Sequence, residues 1–456
     1  SVSSLRTRLG RLSALATPRP AGEGEPAAQP AVALPDEAAA EAPRERLDPT
    51  ARGADVMRGE LERLRTRGRA RRGAGGGARA SGPRVDELPG ETQVTDFGEL
   101  HVVEHRCERD HQHGARAIHP ARGVDGDVVA TLALDPQMRG LDFSRALYID
   151  TETTGLMGGT GTVPFLIGTA RFHGDQLVVR KLVLRRLGEE VPMLHALAEQ
   201  LREASCVVSF NGKSFDWPLL RTRFVMNRVK APPIPPHLDL LHCARRVFRQ
   251  RLERVRLVDI EREVLGFTRV DDVAGAEIPE LYMSYLRGGD AAPIARIIDH
   301  NRLDLIALAA LLAELVQQFD GLAAEHDPRD KLACARVAER AGDALLANSL
   351  AGAVTDTEGR GMHAAQAWLL RARVARRAGD APAQETAAQA ALAALGGDAA
   401  DALTEAEVHL TLAKLYEHGL KDPARALAHA VHTVPAEDEE QAQRRAARLA
   451  AKLGRG

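Results

Sequence analysis

Two carboxylates, Asp150 and Glu152, stand two positions apart in the stretch YIDTETTGL (148–156), at the end of an apolar run. Such a run reads as a strand, and side chains at i and i+2 of a strand point to one face. Like charges held side by side in a half-buried place repel, and each is costly to desolvate. The arrangement calls for something positive between them. Two further segments carry a carboxylate beside an apolar element. FNGKSFDWPLL (210–220) places Asp216 in the first turn of a helix that follows a short strand, and DHNRLDLIALAALLAEL (299–315) places Asp304 beside an apolar helical face. Singly, each is weak, because an Asp near a helix start is commonly a cap and Asp304 has Arg302 nearby as a partner. Together, two strand and two helix carboxylates give four hard oxygen ligands. That set suits Mg²⁺ or Mn²⁺, whereas zinc would want Cys and His. Two such ions ~3.5–4 Å apart clamp a phosphodiester, one activating water and the other neutralising the leaving 3′ oxygen.

DTETTGL, NGKSFDWPLLRTRF and HNRLDL, in this order, resemble the motifs of the DEDD 3′–5′ exonuclease superfamily, whose fold is ribonuclease-H-like. More closely, they resemble its bacterial YprB-type branch, which often joins the nuclease domain to helical repeats. The resemblance covers roughly residues 88–318. It implies Asp150 and Glu152 as the first motif, Asp216 as the second, Asp304 as the third, and Thr153 near the 3′ terminus of the bound strand. The superfamily places a Tyr with three residues between it and the last Asp, or a His with four. Here His300 and Asp304 have the His at the Tyr spacing. A one-residue shift on a helix rotates a side chain by ~100°, which leaves two roles open. His300 either orients or deprotonates the attacking water, or only sits nearby.

Other segments compete for attention. NGKS imitates the end of a phosphate-binding P-loop, but position 207, where its first Gly belongs, is Val. GGTGT (158–162) has enough glycine for an anion nest, yet between β-like segments it reads as a turn beside the site. His105, Cys107, His111 and His113 are crowded, but their spacings fit no standard zinc module and the region reads as a β-hairpin. Arg245, Arg246, Arg249, Arg251, Arg254 and Arg256 crowd one stretch of the candidate nuclease region. A charge run is usually a solvated face. Several arginines are also what sequence-tolerant phosphate binding needs, and Lys213 in the second motif's loop joins them as a candidate.

The elements that must position these groups read as follows. β-like pieces run at 100–105, 128–134, 146–150, 163–172 and 176–184, and the HGD turn (173–175) is short enough for an antiparallel hairpin. A helix is expected over 189–204, with Pro192 tolerated in its first turn. CVVSF (206–210) is a short buried strand, and HLDLLHCARRVF (237–248) is a strand running into a helix. The fold class expected is α/β, a ribonuclease-H-like mixed sheet with flanking helices over 88–320, including an N-terminal β extension. From 327 to 456 the chain is Ala- and Leu-rich helix, an all-α repeat-like region. Its turns at Asp343, Asp380 and Asp422 are separated by a length near that of tetratricopeptide repeats, with an irregular bundle as the alternative. Residues 1–87, rich in Ala, Pro, Gly and Arg, are expected to be mostly disordered.

Composition sets the outer bounds. With 61 basic and 63 acidic residues, the net charge of -2 gives no global reason for a polyanionic partner. Four dispersed cysteines suit a reducing compartment, and no run approaches the ~20 apolar residues of a membrane span. The Arg- and Ser-rich start fits a transit peptide or one amphipathic helix, and the latter, in a cytoplasmic protein, is the reading taken. The expectation is a metal-dependent 3′–5′ exonuclease using two Mg²⁺ or Mn²⁺ ions on single-stranded DNA or RNA with a free 3′ end. The C-terminal helices would hold a protein partner or extend the substrate path. The alternative is a non-catalytic nucleic-acid-binding adaptor, which would gain nothing from carboxylates facing phosphate. The choice between DNA and RNA depends on pocket shape and is not written in the motifs.

Overall fold

The computed structural model describes residues 85–155, 161–319, 326–396 and 402–454. The N-terminal helix, the basic stretch 63–79 and most of GGTGT lie outside these residues. The described chain runs β1 (Glu91–Thr95), β2 (Gly98–Cys107), β3 (Gln112–His113), β4 (Arg116–Ala117) and α1 (Gly126–Ala133). Then come β5 (Leu147–Thr153), β6 (Pro164–His173), β7 (Gln176–Val183), α2 (Glu190–Glu203), β8 (Val207–Ser209) and α3 (Asp216–Met226). β9 (His237–Asp239) leads into α4 (Leu240–Phe248), followed by α5 (Leu257–Ile260), α6 (Ile278–Leu286) and the long α7 (Ala292–Gln317).

These elements build a mixed seven-stranded sheet of order β1-β2-β7-β6-β5-β8-β9. β1, β2, β7, β6 and β5 are antiparallel neighbours in that order, β8 pairs with β5 and β9 with β8 in parallel, and β3 and β4 form a separate antiparallel hairpin. Gly174, at a φ of 58°, makes the tight β6–β7 turn that the HGD stretch announces. The sheet buries both faces. One side packs Leu147, Ile149, Phe165 and Ile167 against α2, α3 and α6. The other packs Tyr148, Ala170, Val179 and Val208 under the C-terminal half of α7. Because α7 lies between the sheet and further helices, it is apolar nearly all round from Leu305 to Leu315, as a helix enclosed by protein must be.

One expected strand is a helix. VVATLAL (128–134) forms α1, whose start is capped by Asp125 accepting from the Asp127 amide at 2.8 Å and whose end turns through Leu134 at a φ of 54°. A short apolar run has no periodicity that separates a buried strand from a buried helix. The Asp cap was the available signal.

The C-terminal region is all helix: α8 (Pro328–Arg340), α9 (Ala344–Thr357), α10 (Met362–Arg377), α11 (Ala381–Leu395), α12 (Ala402–Lys414), α13 (Pro423–Ala430) and α14 (Glu439–Leu453). One device recurs three times. Asp343, Asp380 and Asp422 cap α9, α11 and α13 by accepting from the amides of Leu346, Ala383 and Ala424. The residue before each cap takes a positive φ: Gly342 at 80°, Gly379 at 72° and Lys421 at 57°. The first two helices share the core of the sheet region, since Leu332, Cys334, Ala347 and Leu350 lie in one cluster with Val208, Phe248 and Leu311. Arg251 adds an ion pair across this contact, 2.8 Å from the buried Asp330.

Candidate active site

β5 enters the sheet buried and leaves it half-buried, so Asp150 and Glu152 sit at the mouth of the core on one face. Asp150 is opposite Gly168 of β6, which is opposite Lys181 of β7. A Cβ on Gly168 would lie 1.9 Å from Oδ1 of Asn301, so only glycine lets α7 come this close. Asn301 uses that approach to donate from Nδ2 to Oδ2 of Asp150 at 2.7 Å.

Asp216 arrives from the other side, in the first turn of α3. The loop before it is pinned from β9, where Asp239 accepts from the amides of Asn211 at 2.8 Å and Lys213 at 3.2 Å. NGKS is therefore a turn held by a carboxylate, with the amides of Asn211, Lys213 and Ser214 already engaged. Thr151, on β5 between the first two acids, donates its hydroxyl to Asp216.

Asp304 and His300 share one face of α7, four residues apart. His300 Nε2 lies 3.3 Å from Oδ2 of Asp304 and 4.0 Å from Oε1 of Glu152. One ligand atom each from Glu152, His300 and Asp304 falls within 4.8 Å of the others, the one such group able to hold a metal among the described residues. Asp150 and Asp216 stand beside this group, each with one oxygen engaged by Asn301 or Thr151.

The acids register one another electrostatically. Burial, and then the charges of Asp304, Asp216 and Glu152, push Asp150 well above the ordinary carboxylate range. Burial with Asp304 and Asp216 does the same to Glu152. Burial pushes Asp216 up to about 6 against the pull of the Thr151 hydroxyl. Asp304 is also raised by burial, with Arg269 pulling the other way. A divalent cation with oxygen preference would offset the charges that Asp304 and Asp216 impose on Asp150 and Glu152. The donor set, four carboxylates and one imidazole without a thiolate, fits Mg²⁺ or Mn²⁺.

Three contributors were not among the sequence candidates, although Asn301 lies within the quoted HNRLDL stretch. Arg269 donates to Oδ1 of Asp304 at 2.5 Å, Asp272 lies 2.7 Å from Nδ1 of His300, and Asn301 holds Asp150. Asn301 had a faint signal, since it is three residues before Asp304 and so on the same helical flank. Arg269 and Asp272 come from a loop, where no periodicity marks a position.

The remaining candidates are placed differently. Thr153 donates to the carbonyl of Gly155 at 2.8 Å. Lys213 is exposed and lines a cavity of about 60 Å³ with His237, His242 and Arg246. The arginine run is not one face. Arg249 and Arg254 are exposed and Arg245 is half-buried, while Arg251 is bound to Asp330 and Arg256 to Asp259. His105, Cys107, His111 and His113 do not gather: Cys107 is in the core, and His113 is bonded to Glu261 at 2.8 Å.

Residues 147–316, from β5 to the end of α7, match the RNase_H_2 model of the RNase_H superfamily. This stretch is similar to that superfamily, and its mixed sheet with flanking helices has the ribonuclease-H-like fold class. The uncharacterized protein YprB of Bacillus subtilis (strain 168) is 33% identical to this chain over 194 residues, which are 42% of this chain. The chain spans about half, 46%, of the length of that curated relative. Among the described residues no helix is long and apolar enough to cross a membrane.

Proposed function

We propose that this protein is a 3′–5′ exonuclease of the DEDD type, hydrolysing phosphodiester bonds of single-stranded DNA or RNA with two Mg²⁺ or Mn²⁺ ions. One observation carries the reading. Asp150, Glu152, Asp216 and Asp304, from three separate elements, meet at one half-open place, and each is raised by burial there. Asp150, Glu152, Asp216 and Asp304 would hold the ions, which supply water activation and neutralisation of the leaving oxygen. Asn301 and Thr151 fix the carboxylates of Asp150 and Asp216, so that little reorganisation is needed when substrate arrives. Asp272 anchors Nδ1 of His300 and presents Nε2 to the acids, where the ring can take a proton from the attacking water.

Lys213 and Arg246, across their shared cavity, with Arg245 and Arg249 nearby in sequence, would contact phosphates without reading bases. The helices beyond residue 327, in tetratricopeptide-like pairs, would receive a protein partner or lengthen the strand's path. The order of the three acidic motifs supports the 3′ polarity. The test compares a linear single strand with the same sequence closed into a circle, each with Mn²⁺. Loss of the linear strand alone is expected. Cleavage of the circle would mean an endonuclease.

A further inference from the structure

Arg269 is the cation already built into this site. Its side chain is 7% exposed and meets three acids: Nε donates to Oε2 of Glu261 at 2.8 Å, Nη1 lies 3.2 Å from Oδ2 of Asp272, and Nη2 donates to Oδ1 of Asp304 at 2.5 Å. Glu261, 1% exposed, is held from behind by Nε2 of His113 at 2.8 Å. His113 stacks on Phe267 with ring centres 4.0 Å apart. The β3–β4 turn also fastens the backbone on the near side of Arg269. Ala115 donates its amide to the carbonyl of Leu265 at 2.7 Å, and a Cβ on Gly114 would lie 2.4 Å from that oxygen. The small hairpin, otherwise without a task, thus grips the segment that carries Arg269.

We infer that Arg269 is a positioning residue of the metal site: it clamps Oδ1 of Asp304, leaves Oδ2 toward the cations, and tempers their binding by its fixed charge. The inference rests on the metal-dependent reading above. A guanidinium cannot shed its proton in a protein, so its charge is present whether or not ions are bound. Without them it offsets part of the repulsion among the acids, and with them it repels a divalent cation sharing Asp304. Lys would keep the charge but not the fork that reaches Glu261, Asp272 and Asp304 together. Gln keeps some hydrogen bonding and loses the charge.

The test is calorimetric titration of the full chain with Ca²⁺, and separately Mn²⁺, without substrate. It is done on wild type, Arg269→Gln and Arg269→Lys, alongside thermal melts in chelator. Arg269→Gln is expected to bind about tenfold tighter, to melt lower in chelator, and to gain more from added metal than wild type does. Arg269→Lys is expected within about threefold of wild-type affinity, since the charge remains. Should Arg269→Gln not fold because it strands Glu261, Arg269→Gln combined with Glu261→Gln removes both buried charges, and the same tightening is expected. Equal or weaker binding in the Gln variants, with wild type binding normally, would overturn this inference alone. A wild type that binds neither ion would overturn the metal-dependent reading together with it.

Discussion

Nδ1 of His300 and Oδ1 of Asp272 stand 2.7 Å apart, and this pair turns the ring so that Nε2 faces Asp304 and Glu152. A carboxylate can only accept, so Nδ1 donates and Nε2 carries the lone pair or a second proton. The spacing of His300 from Asp304, borrowed from the Tyr form of the motif, does not remove the imidazole from the site. At i and i+4 the two side chains share one face of α7.

If His300 moves the proton, His300→Ala lowers turnover by ~10²–10⁴-fold with metal affinity little changed. Asp272→Asn, which keeps the shape and loses the charge that stabilises the ring when it takes a proton, lowers turnover by roughly tenfold. Rates measured against pH and against Mn²⁺ concentration separate this from a role in holding Asp304, for which metal affinity itself would fall. Wild-type profiles for both variants would take the pair out of the mechanism.

Removing an acid from the cluster should cost activity and spare the fold. Asp150→Ala or Asp216→Ala is expected to abolish Mn²⁺-dependent hydrolysis and to leave the melting temperature in chelator unchanged or higher, because repulsion and desolvation are relieved. Loss of the fold in either variant, read by circular dichroism, would assign these residues to structure.

The same cluster predicts a pH slope. Asp216 is raised to about 6 in the folded chain from ~3.9 in an unfolded one. The folded state then binds the proton more tightly, so in chelator its contribution to stability declines as pH rises from about 4 to about 6. Asp216→Asn should flatten that decline, and metal affinity in wild type should climb over the same window as protons leave. Chemical denaturation at stepped pH measures both. A slope unchanged in the variant would contradict the raised carboxyl.

Gly168 is expected to be intolerant of the smallest change. A methyl there meets Oδ1 of Asn301 at 1.9 Å, so Gly168→Ala must push α7 from the sheet, at a cost of about 1–3 kcal/mol. Activity should fall further than stability alone explains, since Asn301 then releases Asp150. Equal stability and activity in the variant would show that the approach is not needed.

The arginines divide by what they already hold. Reversing Arg245 and Arg249 to Glu should weaken binding of all single strands alike and flatten the dependence of log affinity on log salt. Reversing Arg251, which pairs with the buried Asp330, should destabilise the protein and leave the slope alone. Fluorescence anisotropy at several salt concentrations decides between the two groups.

The acids and the elements carrying them were legible because type, order and neighbouring apolar pattern agree at each. Asp150 and Glu152 end a strand, Asp216 begins a helix, and Asp304 opens the apolar stretch of another. The same logic placed β6, β7, α2, β8 and α4. It fails at 128–134, where a run too short to show a period reads as a strand and folds as a helix. It also missed Arg269 and Asp272, whose role is created by tertiary contact with Glu261 and with His300 and Asp304 on α7, Glu261 being held in turn by His113, distant in sequence. The arginine run shows the opposite failure. Clustering in sequence promised a single basic face, yet neighbours on a helix and the turn after it point to different partners.

The most direct measurement follows a linear single strand labelled at its 5′ end through time with Mn²⁺, using wild type and Asp216→Ala side by side. The account predicts a ladder of 5′-labelled products shortening one nucleotide at a time from the 3′ end in wild type, abolished by chelator and absent in the variant. Immediate release of the labelled 5′ nucleotide, or a ladder that persists in Asp216→Ala, would contradict it.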